Sequence, residues 1–102
     1  MKQFTHKYDE NNVVRSILKD DGTMVYVLND IAKCVGYKAP RKFTARAEVE
    51  KEYAEIAWRN GVRHGRTPIA AVTYTNFLKI AEIHMFPEEI VDFIKEIENA
   101  EY

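Results

Sequence analysis

The whole sequence holds one cysteine, Cys34, so no disulfide can close within the chain. Its place among the apolar residues of a short predicted helix marks it as a buried, unreactive thiol of a reducing compartment. No apolar run approaches the roughly 18 residues that a spanning helix needs, and the opening Met1-Lys2-Gln3-Phe4-Thr5-His6 is polar. A soluble, unexported, cytoplasmic protein with no membrane partner is expected. His6, His64 and His84 lie far apart, and nothing has the i, i+4 or Cys-x-x-Cys spacing of a zinc site. Gly36, Gly61 and Gly65 match neither the P-loop nor the dinucleotide-binding pattern, and no motif presents a Ser, Cys or Thr nucleophile. Only a triad assembled in space from distant positions escapes this reading. The expectation is therefore a non-enzyme without metal or cofactor.

What is present suits one domain: 102 residues, of which 46% are apolar and 12% aromatic, can bury a modest core. The formal net charge of -1 argues against a nonspecific nucleic-acid binder, yet it hides a segregation along the chain. Between Lys33 and Arg66 nine cations (Lys33, Lys38, Arg41, Lys42, Arg46, Lys51, Arg59, Arg63, Arg66) face four anions, Glu48, Glu50, Glu52 and Glu55. Beyond Arg66 the sign reverses, with Lys79 and Lys95 against Glu82, Glu88, Glu89, Asp92, Glu96, Glu98 and Glu101. A basic side is the footprint that a polyanion partner requires. The four glutamates inside it read as charge relief beside cations, not as a metal-binding cluster.

The stretch from Met24 to Arg46 organises the rest. Met24-Val25-Tyr26-Val27-Leu28 has the branched and aromatic residues of a strand. A helix is expected next, capped by Asn29, with Asp30 favouring its positive end, Ile31, Cys34 and Val35 at helical spacing and Gly36 as a left-handed stop. Pro40 then opens a second helical segment in Tyr37-Lys38-Ala39-Pro40-Arg41-Lys42. Cations at a helix start oppose the helix dipole, so phosphate is their natural counter-charge.

Residues 1–10 lack periodicity and read as a frayed segment, with a single domain over 11–102. Val13 to Leu18 is a strand, and Asp20-Asp21-Gly22 turns it into a hairpin with the Met24 strand. The stretch from Thr44 to Glu52 fits helix or loop. Tyr53 to Arg59 alternates, with Ala54, Ile56 and Trp58 on one face, and Ile69 to Val72 is its partner. This second hairpin carries Arg59, Arg63, His64 and Arg66 at or near its tip. Thr73 caps a helix with Tyr74, Phe77, Leu78 and Ala81 on one face, and Pro87 opens another striped by Ile90, Ile94 and Ile97 and widened by Val91 and Phe93. The fold class expected is α+β, a small single domain with two β-hairpins packed against short helices and two C-terminal helices.

In order and spacing these segments resemble the BRO N-terminal (Bro-N) domain of phage antirepressors and of BRO proteins of large DNA viruses. The likeness rests on Asp30-Ile31-Ala32-Lys33-Cys34-Val35-Gly36-Tyr37 and Ala39-Pro40-Arg41-Lys42, then the central hairpin, then Thr73-Tyr74-Thr75-Asn76-Phe77-Leu78-Lys79-Ile80 and Val91-Asp92-Phe93-Ile94. Asn76 stands where the family has a glycine, and the tryptophan of the last helix is missing, so the chain resembles a distant member. The resemblance implies a domain of phage, prophage or viral origin that acts in the host cytoplasm in transcriptional regulation. It implies double-stranded DNA as partner in some members and a repressor or host protein in others. The residues expected to meet DNA are Lys38, Arg41, Lys42 and Arg46 after the short helix and Arg59, Arg63 and Arg66 in the hairpin; a homodimer stays open. The competing expectation is a protein-binding antirepressor or inhibitor, whose acidic last helix meets a basic regulatory or defence protein.

Overall fold

The computed structural model describes residues 2–46, 52–55 and 68–100, with the backbone alone at 41, 45, 46, 52–55, 68 and 69. Strands β1 (Lys2–Lys7), β2 (Val13–Leu18) and β3 (Met24–Val27) lead into helices α1 (Leu28–Val35) and α2 (Pro40–Arg46). Strands β4 (Glu52–Glu55) and β5 (Pro68–Thr73) follow, then helices α3 (Tyr74–His84) and α4 (Glu88–Asn99). The architecture is α+β. Both expected hairpins form, and β3 pairs antiparallel with β5, so the two merge into one five-stranded sheet of order β1-β2-β3-β5-β4.

The opening segment differs from expectation. Residues 2–7 are not frayed but form an outer strand paired with β2 from Lys2↔Leu18 to Lys7↔Val13. Its signal is a short alternation, Phe4, His6 and Tyr8, which are the half-buried residues of this stretch. The turn is built by Asp9, whose Oδ1 accepts from the backbone N–H of Asn11 and of Asn12, both at 2.8 Å. In the next turn Gly22 has φ 88°, a left-handed position that suits glycine, and Asp21 accepts from the Thr23 N–H at 2.9 Å.

Register explains the core. Ser16 opposes Tyr26 and Tyr26 opposes Val72, so Val14, Met24, Tyr26 and Val72 share one sheet face. They cluster there with Leu28, Ile31 and Ala32 of α1, Phe77 and Ile80 of α3, and Ile90, Ile94 and Ile97 of α4. The other face buries Ile17, Val25 and Ala71. The α4 stripe is as expected, with Val91 and Phe93 packed against its margin. On α3 the stripe is rotated: Ile80 is buried whereas Leu78 is 39% exposed. Ile80 and Leu78 lie about 80° to either side of the direction set by Phe77 and Ala81 on the helical wheel, so periodicity alone does not choose between them.

The start of α1 is also corrected. The chain passes from β3 straight into the helix, so Val27 is the N-cap, with no side-chain capping bond, and Leu28 is already helical. Asn29 is therefore not the cap but, like Asp30, lies in the first turn, where Asp30 keeps its place at the positive end while its carboxylate bonds Arg15 and the Asn29 amide oxygen accepts from Thr44.

Candidate nucleic-acid interface

The basic segment begins where α1 stops. Gly36 takes φ 98°, its N–H reaches the carbonyls of Ala32 and Lys33, and the Tyr37 N–H reaches Ala32 O at 3.0 Å. These bonds form the paired closure that a glycine after the last helical turn permits, and they fix the direction in which the chain leaves. Pro40 then opens α2 as expected, because it has no N–H to leave unpaired there. The described part of the helix runs to Arg46.

Two buried residues seat α2. Phe43 stacks on Tyr37, with ring centroids 4.5 Å apart and planes 16° apart, meets His84 edge to face at 5.1 Å and lies tilted to Phe86 at 6.0 Å. Thr44, also buried, donates its hydroxyl proton to Asn29 Oδ1 of α1. Helix α1 is itself tied to the sheet, since Asp30 accepts from the Arg15 backbone N–H at 3.0 Å, from Nε at 2.7 Å and from Nη2 at 2.9 Å. A buried carboxylate with three donors is well compensated for its lost hydration. Neither Arg15 nor Thr44 is marked in the sequence, because each partner is 15 positions away and no periodicity relates them.

The side chains of Lys38 and Lys42 are exposed beside this anchored frame. Arg41, Lys42 and Arg46 lie on α2 and Lys38 just before it, with only the backbone described at Arg41 and Arg46. The second group, Arg59, Arg63 and Arg66, lies outside the described residues, as does the tip of the second hairpin. Chemically, the described part supplies point cations, Lys38 and Lys42, held in solvent. Cys34 is half-buried, and burial first, then the negative charges of Asp30 and Asp9, pushes its thiol up to about 12, so it stays protonated. Among the described residues no group of three His, Cys, Asp or Glu converges as a metal site, and no helix is long and apolar enough to cross a membrane.

The acidic part of the chain is displayed elsewhere. Glu82 on α3 and Glu88, Glu89, Asp92, Glu96 and Glu98 on α4 are all exposed. Glu98 also has a structural bond, accepting from the hydroxyl of the buried Tyr26 at 2.6 Å. No protein-family model matches the chain, and no curated protein or solved structure matches it either.

Proposed function

We propose that this domain is a DNA-binding module of phage or viral origin, of the Bro-N kind, that takes part in transcriptional regulation. The observation that carries the reading is the seating of α2: Phe43 and Thr44 hold the helix while Lys38 and Lys42 stay in solvent beside it. A cation held on ordered backbone loses less entropy on meeting a phosphate than one on a free chain. Contacts of this type position a duplex and give affinity with little sequence choice.

With about three to five phosphates neutralised, log affinity falls against log salt with a slope of about -3 to -5. Titration of fluorescent duplex DNA at several salt concentrations measures this directly, and absence of binding at low salt overturns the reading. The pair Arg41→Ala with Lys42→Ala is expected to weaken binding more than Arg63→Ala with Arg66→Ala, with thermal stability changed by less than about 1 kcal/mol in either case. Equal losses would leave net charge as the whole effect; a loss confined to the second pair would move the interface to the hairpin.

A second reading is favoured by the exposed carboxylates of α4: a protein-binding antirepressor or inhibitor that meets a basic regulator. Capture of a stoichiometric protein from host lysate, free of nucleic acid, would select it over the first.

A further inference from the structure

Helix α3 ends against α2 in a cluster of rings. Met85 closes α3 in the left-handed conformation, at φ 53° and ψ 52°, and the N–H groups of Met85 and Phe86 return to the carbonyls of Glu82 and Ala81. This closure folds the chain back, so Phe86 is buried with its ring centroid 6.2 Å from Phe77 and 6.0 Å from Phe43. His84, in the last turn of α3, packs on the same cluster, 5.1 Å from Phe43 and 6.2 Å from Phe86. Phe43 belongs to α2 and stacks on Tyr37, the neighbour of Lys38, so a histidine from the far end of the chain stands one ring away from the cation-bearing helix.

Packing at that place asks only for a flat apolar ring, yet the residue is a histidine and its side chain is exposed. Among the described residues no hydrogen bond or ion pair takes either of its ring nitrogens. His6 differs, because one of its nitrogens is committed to Ser16. His84 is seated by its ring and keeps both nitrogens for a ligand. A protonated imidazole offers two N–H donors and a positive charge, the combination that a phosphate oxygen accepts best. Charged and titratable groups reach this place from every side: Lys38, Lys42, the Tyr37 phenol and, by backbone position, Arg41 on the α2 side; Lys79 and Glu82 on α3; Glu88 and Glu89 in the first turn of α4. His84 therefore stands where the basic surface borders the acidic one.

We propose that His84 is a DNA-contacting residue: seated on Phe43, it meets, in its protonated form, a phosphate of the duplex that Lys38 and Lys42 engage. The inference rests on the DNA-binding reading and extends that surface to a residue outside the basic segment. Its consequence is an affinity that rises as pH falls through the range in which histidine changes charge. One added phosphate contact steepens the slope of log affinity against log salt by about 0.9 and strengthens binding by about fivefold at roughly 0.1 M salt.

Fluorescence anisotropy of a labelled duplex with the full chain, at pH 7.5 and pH 5.5 and several salt concentrations, reads both quantities. The wild type is expected to bind about fivefold tighter at pH 5.5, with the steeper slope. His84→Gln should remove both differences, and His84→Arg should bind at pH 7.5 as tightly as the wild type does at pH 5.5. His6→Gln and His64→Gln, run alongside, cover the other histidines. Circular dichroism at both pH values checks that each variant is folded; if His84→Gln is not, His84→Arg decides, and an affinity at pH 7.5 no better than that of the wild type overturns the inference. A pH difference that survives in folded His84→Gln also overturns it, as does one that disappears in His6→Gln or His64→Gln. So does a wild type that binds DNA equally at the two pH values. A wild type that binds no DNA at either pH, even at low salt, removes the DNA-binding reading itself and this inference with it.

Discussion

The halves of this protein on either side of the second hairpin are fastened by different physics. From Met24 to Arg46 the helices add to their buried apolar residues, Leu28, Ile31, Ala32 and Phe43, polar bonds to single, distant partners: Asp30 to Arg15, Thr44 to Asn29. From Thr73 to Asn99 they are held by apolar stripes, with Phe77 and Ile80 on α3 and Ile90, Ile94 and Ile97 on α4. A polar bond fixes direction and distance but contributes little net free energy while both partners are present; an apolar stripe contributes in proportion to buried area and tolerates small shifts. The difference teaches where orientation is set. Helix α2, which displays the cations, is oriented by directional bonds and ring stacking, whereas α3 and α4 supply bulk burial beneath it.

The largest effect that sharpens this contrast is expected from Asp30→Ala. It strands the Arg15 guanidinium and backbone N–H at a largely buried place, and loss of one partner of such a pair costs about 3–5 kcal/mol. Urea denaturation measures it. Replacing Arg15 by Met in the same chain should recover part of the loss, since the stranded charge is then gone. Recovery would be the mark of polar fastening, and a loss unchanged in the double variant would show that Asp30 acts by packing alone.

Next in size is Ile94→Ala on α4, a fully buried side chain whose removal costs about 2–4 kcal/mol through lost burial and the cavity left behind. No second substitution of a polar partner should rescue it. Ile94→Val should cost only about 1 kcal/mol, because most of the volume remains.

The smallest effect is a pH dependence at the outer strand. His6 Nε2 lies 2.8 Å from Oγ of the buried Ser16, and burial lowers the imidazole below its ordinary 6.5. Because the folded value is below the unfolded one, the unfolded chain binds the proton more readily and stability falls as pH drops below about 6.5. It stops falling below the folded value. Comparing urea midpoints of the wild type and His6→Gln at pH 7.5 and pH 5 isolates this part, and the variant should lose it. An identical pH response in both chains would place the acid sensitivity elsewhere.

Several elements were legible because their signal is local. The Asp21-Gly22 hairpin, the left-handed stop at Gly36, the Pro40 start of α2, the Thr73 cap and the isoleucine stripe of α4 each follow from neighbours within a turn or two. The Thr73 hydroxyl accepts from the Asn76 N–H at 3.3 Å, as its place before a helix suggests. Of the candidate site, the clustering of Lys38, Arg41, Lys42 and Arg46 was visible as a run of cations. The seating of that run by Phe43 on Tyr37 was not, because stacking depends on where the chain leaves Gly36.

Sequence by itself determined the α+β class, the two hairpins and the two C-terminal helices, since turn chemistry and hydrophobic period act over a few residues. Tertiary structure decided three things that no such window contains. It made residues 2–7 a strand, because β2 offered a ladder to a segment too short to order itself. It joined the hairpins through β3 and β5, a pairing of segments more than forty positions apart. It also left Asn29 and Asp30 in the first turn of α1 but gave their side chains Thr44 and Arg15 as partners instead of the helix's own N–H groups. A side chain takes the partner that best replaces its lost water, and which partner is within reach is set only once the chain has folded.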